Sequence, residues 1–279
     1  MVDINKINKI FVKFYGKKYE KLINERLNSF IGIVFYSKKN IVPKLNSGLV
    51  EYINLYEITN FKKEILNKKI PFSKYVVEHG CQGMIPFIRN NKLKTVIYFP
   101  RKEGKFDNYD CILIHEFLHV LDEHLITKNV SKGGFDTINF KKNKQRNFEW
   151  FNEMIHQHIS EEITEFAHNN NIYLFNTKEE AYRGKKELHD DRNIVIETFY
   201  KYFKEDILIC KLMGDLEGFI EIIGEENFIN LNEWIKMYYK KYPTPEIRKT
   251  AKNSKNHIDD INNGLQIINQ IIKHNNVKI

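Results

Sequence analysis

Residues 109–124 read YDCILIHEFLHVLDEH, and the rest of the chain is organised around them. Cys111, Ile112, Leu113, Ile114, Phe117, Leu118, Val120 and Leu121 make the stretch apolar on most sides, the pattern of a helix packed inside a protein. Asp107 is placed as its N-cap, with Asp110 in the first turn. Against this background stand His115, Glu116 and His119. Three ionisable groups on so apolar a helix are costly to bury unless something satisfies them, and a metal ion would. Histidines at i and i+4 project from one face, ~6 Å apart, and can share one Zn2+ through ring nitrogens. Glu116 lies about 100° round the helix, where its carboxylate can reach a metal-bound water as general base. The competing reading is a chance H-E-x-x-H whose histidines are satisfied by hydrogen bonds.

A catalytic zinc site needs a third protein ligand and an open position. His124 falls on a different helical face, and Asp122 and Leu125 occupy the Gly and third-His positions of the metzincin spacing. The better source is the helix beginning near Asn147, NFEWFNEMIHQHISEEI. Glu149, Glu153, His156, Gln157 and Ser160 form one polar stripe there, and Phe151, Ile155, Ile159 and Phe166 the opposite apolar one. The polar stripe faces either solvent or the His115/His119 pair. His158 falls towards the apolar side, as a core or hydrogen-bonded histidine.

With HEFLH at 115–119, GGF at 133–135 and FNEMIHQHISEEI from 151, the chain resembles the gluzincin group of zinc metallopeptidases. More closely it resembles the run HExxH…sGF…LNEGITEYLT of many small bacterial and phage-borne proteins, and GDLEGFIEIIGEENF, residues 214–228, looks like their C-terminal helices. The resemblance covers roughly residues 107–235; residues 1–100 carry none. It implies a zincin-like architecture, peptide hydrolysis and a Zn2+ cofactor, with His115, His119 and Glu153 as ligands and Glu116 as general base. The 33 residues between His119 and Glu153, and the pair Asn152-Glu153, fit that pattern. Met154 replaces the family's usual Gly, and Gln157 stands where an acid commonly sits. Asp122, on the face of His115 and His119, is placed either to orient a ligand imidazole or as an ordinary helix-terminal acid. Candidate donors to a reaction oxyanion are His156, Tyr182 and His189, each with an ordinary structural reading beside it. The strand 95–99 is placed like the edge strand that pairs with substrate backbone in such enzymes.

Outward from this core, the reading is α+β. Residues 1–105 form a mixed α/β N-terminal part with a small sheet, and residues 106–279 a mainly helical part; the alternative is one continuous domain. A helix is predicted over 5–29, strands over 30–36, 49–55, 75–78 and 95–99, and a helix over 60–69. Asn90-Asn91 marks a hairpin turn. Gly133-Gly134-Phe135 marks a loop or short extended piece. Helices are predicted over 147–169, 178–204, 206–222, 226–241 and 255–273, with Pro243 and Pro245 separating the last two.

The 279 residues include 39 Ile, 37 Lys and 32 Asn but only 3 Ala. Ile, Lys and Asn have AT-rich codons, so the bias reads first as a low-GC genome. The net charge of +8 is unevenly placed: residues 1–110 carry 21 Lys/Arg against 10 Asp/Glu, or +11, and residues 111–279 carry 23 against 26, or −3. A basic half can attract nucleic acid or an acidic partner. No tight Arg cluster or aromatic-interleaved basic stripe raises nucleic acid above a solvated lysine surface. Hydrophobic content of 42% argues against wholesale disorder. Cys81, Cys111 and Cys210 are widely spaced, without C-x-x-C, as expected of free thiols in a reducing compartment. With no signal-peptide pattern and no membrane-span candidate, the expectation is a cytoplasmic protein. Its substrate would be a peptide or protein. The alternatives are a catalytically silent zincin-fold binding protein and a nucleic-acid-associated protein acting through the basic half.

Overall fold

A computed structural model of the chain describes residues 4–36, 44–46, 49–51, 57–59, 72–73, 83–100, 109–140, 148–175, 177–180 and 193–276. The expected helix 60–69, the strand 75–78, the cap Asp107, Cys81 and the candidates Tyr182 and His189 lie outside the described residues. The fold is α+β, helices with small sheets.

The N-terminal helical stretch is two helices. Helix α1 (Ile4–Tyr15) buries Ile7, Ile10 and Phe11 on one face. Gly16, at φ 101, then breaks it, a backbone conformation that a residue with Cβ rarely adopts. A 3-10 turn (Lys17–Tyr19) leads to α2 (Glu20–Leu27), which buries Ile23 and Leu27.

Strands β1 (Phe30–Tyr36), β2 (Lys44–Asn46), β3 (Leu49–Glu51), β4 (Glu57–Thr59), β5 (Phe72–Ser73), β6 (Gly83–Arg89) and β7 (Lys92–Pro100) follow. A four-stranded sheet has the order β4-β1-β7-β6, and a small sheet has the order β2-β3-β5. β1 and β7 run parallel, with Ile33 opposite Ile97. β6 and β7 form the expected hairpin, closed by Asn90 and Asn91 at φ 51 and 57, the left-handed pair that a tight two-residue turn needs. β7 is flanked by β1 and β6, so residues 95–99 are interior. This corrects the expected edge position: among the described residues the edges of that sheet are β4 and β6.

Helix α3 (Tyr109–Asp122) carries the H-E-x-x-H. It buries Cys111, Leu113, Ile114, Phe117, Leu118, Val120 and Leu121, and Phe117 packs on Phe30 of β1 with ring centroids 4.8 Å apart. Directly after Asp122 come β8 (Glu123–Thr127), β9 (Val130–Gly133) and β10 (Asp136–Asn139), an antiparallel meander. Sequence periodicity indicated only a loop or short extended piece here.

Helix α4 (Glu149–Asn169) lies along α3. Then come α5 (Ile194–Met213), α6 (Leu216–Ile223), α7 (Glu225–Lys241), α8 (Pro245–Ala251) and α9 (Lys255–Asn276). The expected break near residue 205 is instead a kink at Phe203 within α5. The true end is at Gly214, at φ 69, with Asp215 capping α6 by accepting from the Gly218 amide. Pro245 does not merely interrupt: it starts α8, capped by the Thr244 side chain. Phe135 of the β9–β10 turn enters an aromatic cluster with Phe151, Phe219 and Phe228, which seats the meander on the helices. One cluster of buried side chains runs from Ile7 through β1, β7, α3, α4 and α5 to Ile271. No helix among the described residues is long and apolar enough to cross a membrane.

Candidate metal centre

The apolar residues of α3 turn its polar side chains towards α4, and α4 presents Glu153 and His156, one turn apart, to meet them. His115 Nε2 lies 3.2 Å from Glu153 Oε2, His119 Nε2 lies 3.3 Å from Glu153 Oε1, and the two Nε2 atoms are 3.3 Å apart. A metal bonded at ~2.0–2.1 Å to the corners of a tetrahedron has corners roughly 3.3 Å apart. The two histidine nitrogens have that spacing, and each faces a different oxygen of the Glu153 carboxylate at the same spacing, so this triangle of side chains fits a metal ion. Including His156, ligand atoms of all four residues lie within 4.8 Å of one another. The cluster could therefore hold a metal ion. His115 Nδ1 and His156 Nδ1 are buried without a hydrogen-bond partner among the described residues, an unusual state for interior polar atoms.

Charge is strongly shaped here. Burial alone would raise the Glu153 carboxyl, but His119 and His115 hold it far below the ordinary carboxylate range. His115 is shifted upward: burial opposes its charge, and the hydrogen bond to Glu153 with the Glu116 carboxylate outweighs that. Glu116, only 4% exposed, is raised by burial, with His115 and His119 pulling the other way.

Beside the triangle lies a second buried network. The Asp122 carboxylate accepts from Lys211 Nζ of α5, and Asp122 Oδ2 is 2.7 Å from His156 Nε2. Lys211 Nζ is also 2.7 Å from His156 Nε2 and 3.4 Å from Asn152 Oδ1. Lys211 is 2% exposed. Asn152 donates to Gly133 O and Asp136 Oδ2 and accepts from the Phe135 amide, tying the meander to α4. Burial pushes the Asp122 carboxyl up despite the opposing Lys211 charge, and burial drives His156 well below its usual value, aided by the charges of His119 and Lys211.

The structure thus brings His115, Glu116, His119, Glu153, His156 and Asp122 into one region. Asp122 is not bonded to His115 or His119: its hydrogen-bond partners here are His156 and Lys211, because α3 ends at Asp122 and the carboxylate points across to α4 and α5. The α4 stripe divides: Glu153, His156 and Ser160 turn inward, with Ser160 Oγ 3.5 Å from Cys111 Sγ, whereas Glu149 and Gln157 are exposed. His158 is half-buried with its ring 4.5 Å from that of Tyr200, and His124 lies in β8, bonded through Nδ1 to Asp122 O. Sequence reasoning missed Lys211 and gave Asn152 no role. A signal existed for the lysine: it follows Ile207 by four residues, on the buried stripe of its helix.

No known protein family, curated protein or solved structure matches this chain.

Proposed function

We propose that this protein is a zinc-dependent metallopeptidase with a zincin-like catalytic centre, and that it hydrolyses peptide bonds in a peptide or protein substrate. The observation that carries the reading is the convergence of His115 and His119 on the two oxygens of the Glu153 carboxylate, at 3.2 and 3.3 Å, with their own Nε2 atoms 3.3 Å apart and a buried carboxylate, Glu116, beside His115 on the same helix. Two imidazoles and one carboxylate form the donor set of many hydrolytic zinc sites. Bound zinc supplies Lewis acidity, polarising a carbonyl and bringing the pKa of water towards ~7. The chain supplies the rest. His115 and His119 present neutral nitrogens from one helical face, and Glu153 contributes negative charge from the facing helix. Glu116 accepts the proton of the attacking water and returns it to the leaving amine. The apolar packing of α3 excludes bulk water behind the site and strengthens each electrostatic contact.

Glu116→Gln is the decisive variant. It keeps the size and burial of the side chain but removes the base, so zinc content stays stoichiometric while cleavage of a peptide library falls by at least ~100-fold, the lower range for loss of general base catalysis. Full cleavage activity in Glu116→Gln, or purified wild-type protein that takes up no zinc, overturns the reading.

A further inference from the structure

His156 stands close to the donor triangle, and its two nitrogens have unlike surroundings. Nε2 lies 2.7 Å from a carboxylate oxygen of Asp122. Nδ1 is buried with no hydrogen-bond partner among the described residues, and the side chain is 2% exposed. The ring centroid is 4.0 Å from that of His119 and 5.6 Å from that of His115. Metal-bound histidines characteristically donate their other ring N–H to a carboxylate, which fixes the tautomer and aims the free lone pair. His156 has that carboxylate. His115, by contrast, has no partner on Nδ1 among the described residues.

We propose that His156 is a fourth protein ligand of the metal, bonding through Nδ1, so that the centre is a three-histidine, one-glutamate site. This rests on the metal-binding reading above and extends its ligand set. The proton arrangement follows: Nε2–H donates to Asp122, which leaves the Nδ1 lone pair free for the metal. Lys211 supports it from behind, because its ammonium bonds the same carboxylate and holds the acceptor in place. The rival arrangement has Lys211 donating to Nε2, from 2.7 Å. The ring proton then sits on Nδ1, and His156 cannot bind a metal. Four protein ligands would fill a tetrahedral zinc, so substrate would enter only by expansion to five ligands or by release of His156.

Long-range 1H–15N correlation of the histidine rings, recorded on the full wild-type chain before and after one equivalent of zinc, separates the two arrangements. The expected result is that three imidazoles shift on zinc addition: His115 and His119 through Nε2, and His156 through Nδ1 with its proton on Nε2. In parallel, His156→Ala weakens zinc affinity at least ~10-fold in chelator competition. If only His115 and His119 shift and His156 keeps its proton on Nδ1, the fourth ligand is wrong and the metallopeptidase reading survives. If no histidine responds to zinc, both fail. The spectra are read on wild-type protein, so a misfolded variant does not decide the outcome.

Discussion

Two polar clusters touch in the space between α3, α4 and α5, and they are built in opposite ways. Around Lys211, a buried cation meets a buried anion, Asp122, and Asn152 ties both to the turn of the meander. That cluster satisfies its own charges and serves the fold. Around Glu153, two histidines converge on a single carboxylate, and buried imidazole nitrogens remain without partners among the described residues. That cluster could hold a metal ion. The difference shows how polar groups in an apolar interior can be assigned: those that close among themselves are architecture, and those that leave donor atoms at metal-like spacing are a site.

The sharpest way to break this comparison is to empty the self-satisfied cluster. Lys211→Met leaves Asp122 buried without its cation, which is expected to cost ~3–5 kcal/mol in urea denaturation of the zinc-free protein. A cost below ~1 kcal/mol would mean that the network is not structural. Next in size is the incomplete cluster. Zinc at one hundred times its dissociation constant is expected to stabilise wild-type protein by ~2.7 kcal/mol, and to leave His119→Ala nearly unchanged. Equal stabilisation of both would place zinc elsewhere. A smaller effect is expected at the turn between the clusters and the meander. Gly134 has φ +62, and a Cβ there would lie 2.8 Å from Lys211 Nζ and 2.9 Å from Asp122 Oδ2. Gly134→Ala is therefore expected to cost about 1–2 kcal/mol from backbone strain and crowding, read from the same denaturation curves.

The smallest effect belongs to the surface. Asp260 accepts from Lys241 Nζ at 2.6 Å and from the Tyr242 hydroxyl at 2.8 Å. Partial burial would raise its carboxyl, but these bonds bring it below the ordinary aspartate range. A carboxyl lowered on folding stabilises the fold above its unfolded pKa, and that contribution fades as pH falls through the folded value. Asp260→Asn is expected to be slightly less stable than wild type at neutral pH, and the gap should close in acid. A gap that widens in acid would contradict this sign.

The parts that a sequence reader could find were those with local periodicity. The apolar run around HEFLH marked α3, and Asn90-Asn91 marked the hairpin. Helical spacing put His115 and His119 on one face, but the polar stripe of FNEMIHQHIS by itself left open whether it meets solvent or that pair, and Glu153 was singled out only through the family resemblance. The meander was not legible, because Glu123–Thr127 continues without a break from an apolar helix and its pairing is set by partners across the chain. Lys211 was hidden among 37 lysines: its place on the buried stripe of its helix was the one local signal, and its role appears only once its carboxylate is placed. The break expected near residue 205 falls beside the kink at Phe203 in α5, but the expected helix 206–222 runs past the Gly214-Asp215 pair, a C-cap followed by an N-cap that ends α5 and starts α6.

Asp110 has a consequence of its own. From the first turn of α3 it accepts from the amides of Leu174 and Phe175 just beyond α4, and it lies 3.0 Å from His168 near the end of α4. At the far end of α3, Asp122 reaches His156. Helix α3 is thus pinned at both of its ends, to the middle of α4 and to the segment that follows α4, by buried carboxylates, 1% and 3% exposed. Such a pair of helices opens as one unit or not at all, so its amides should exchange with solvent together and late, as a single cooperative block. Whatever the centre binds, it is held on a clamped beam rather than on a hinge, and adjustment must come from the strands and turns around it.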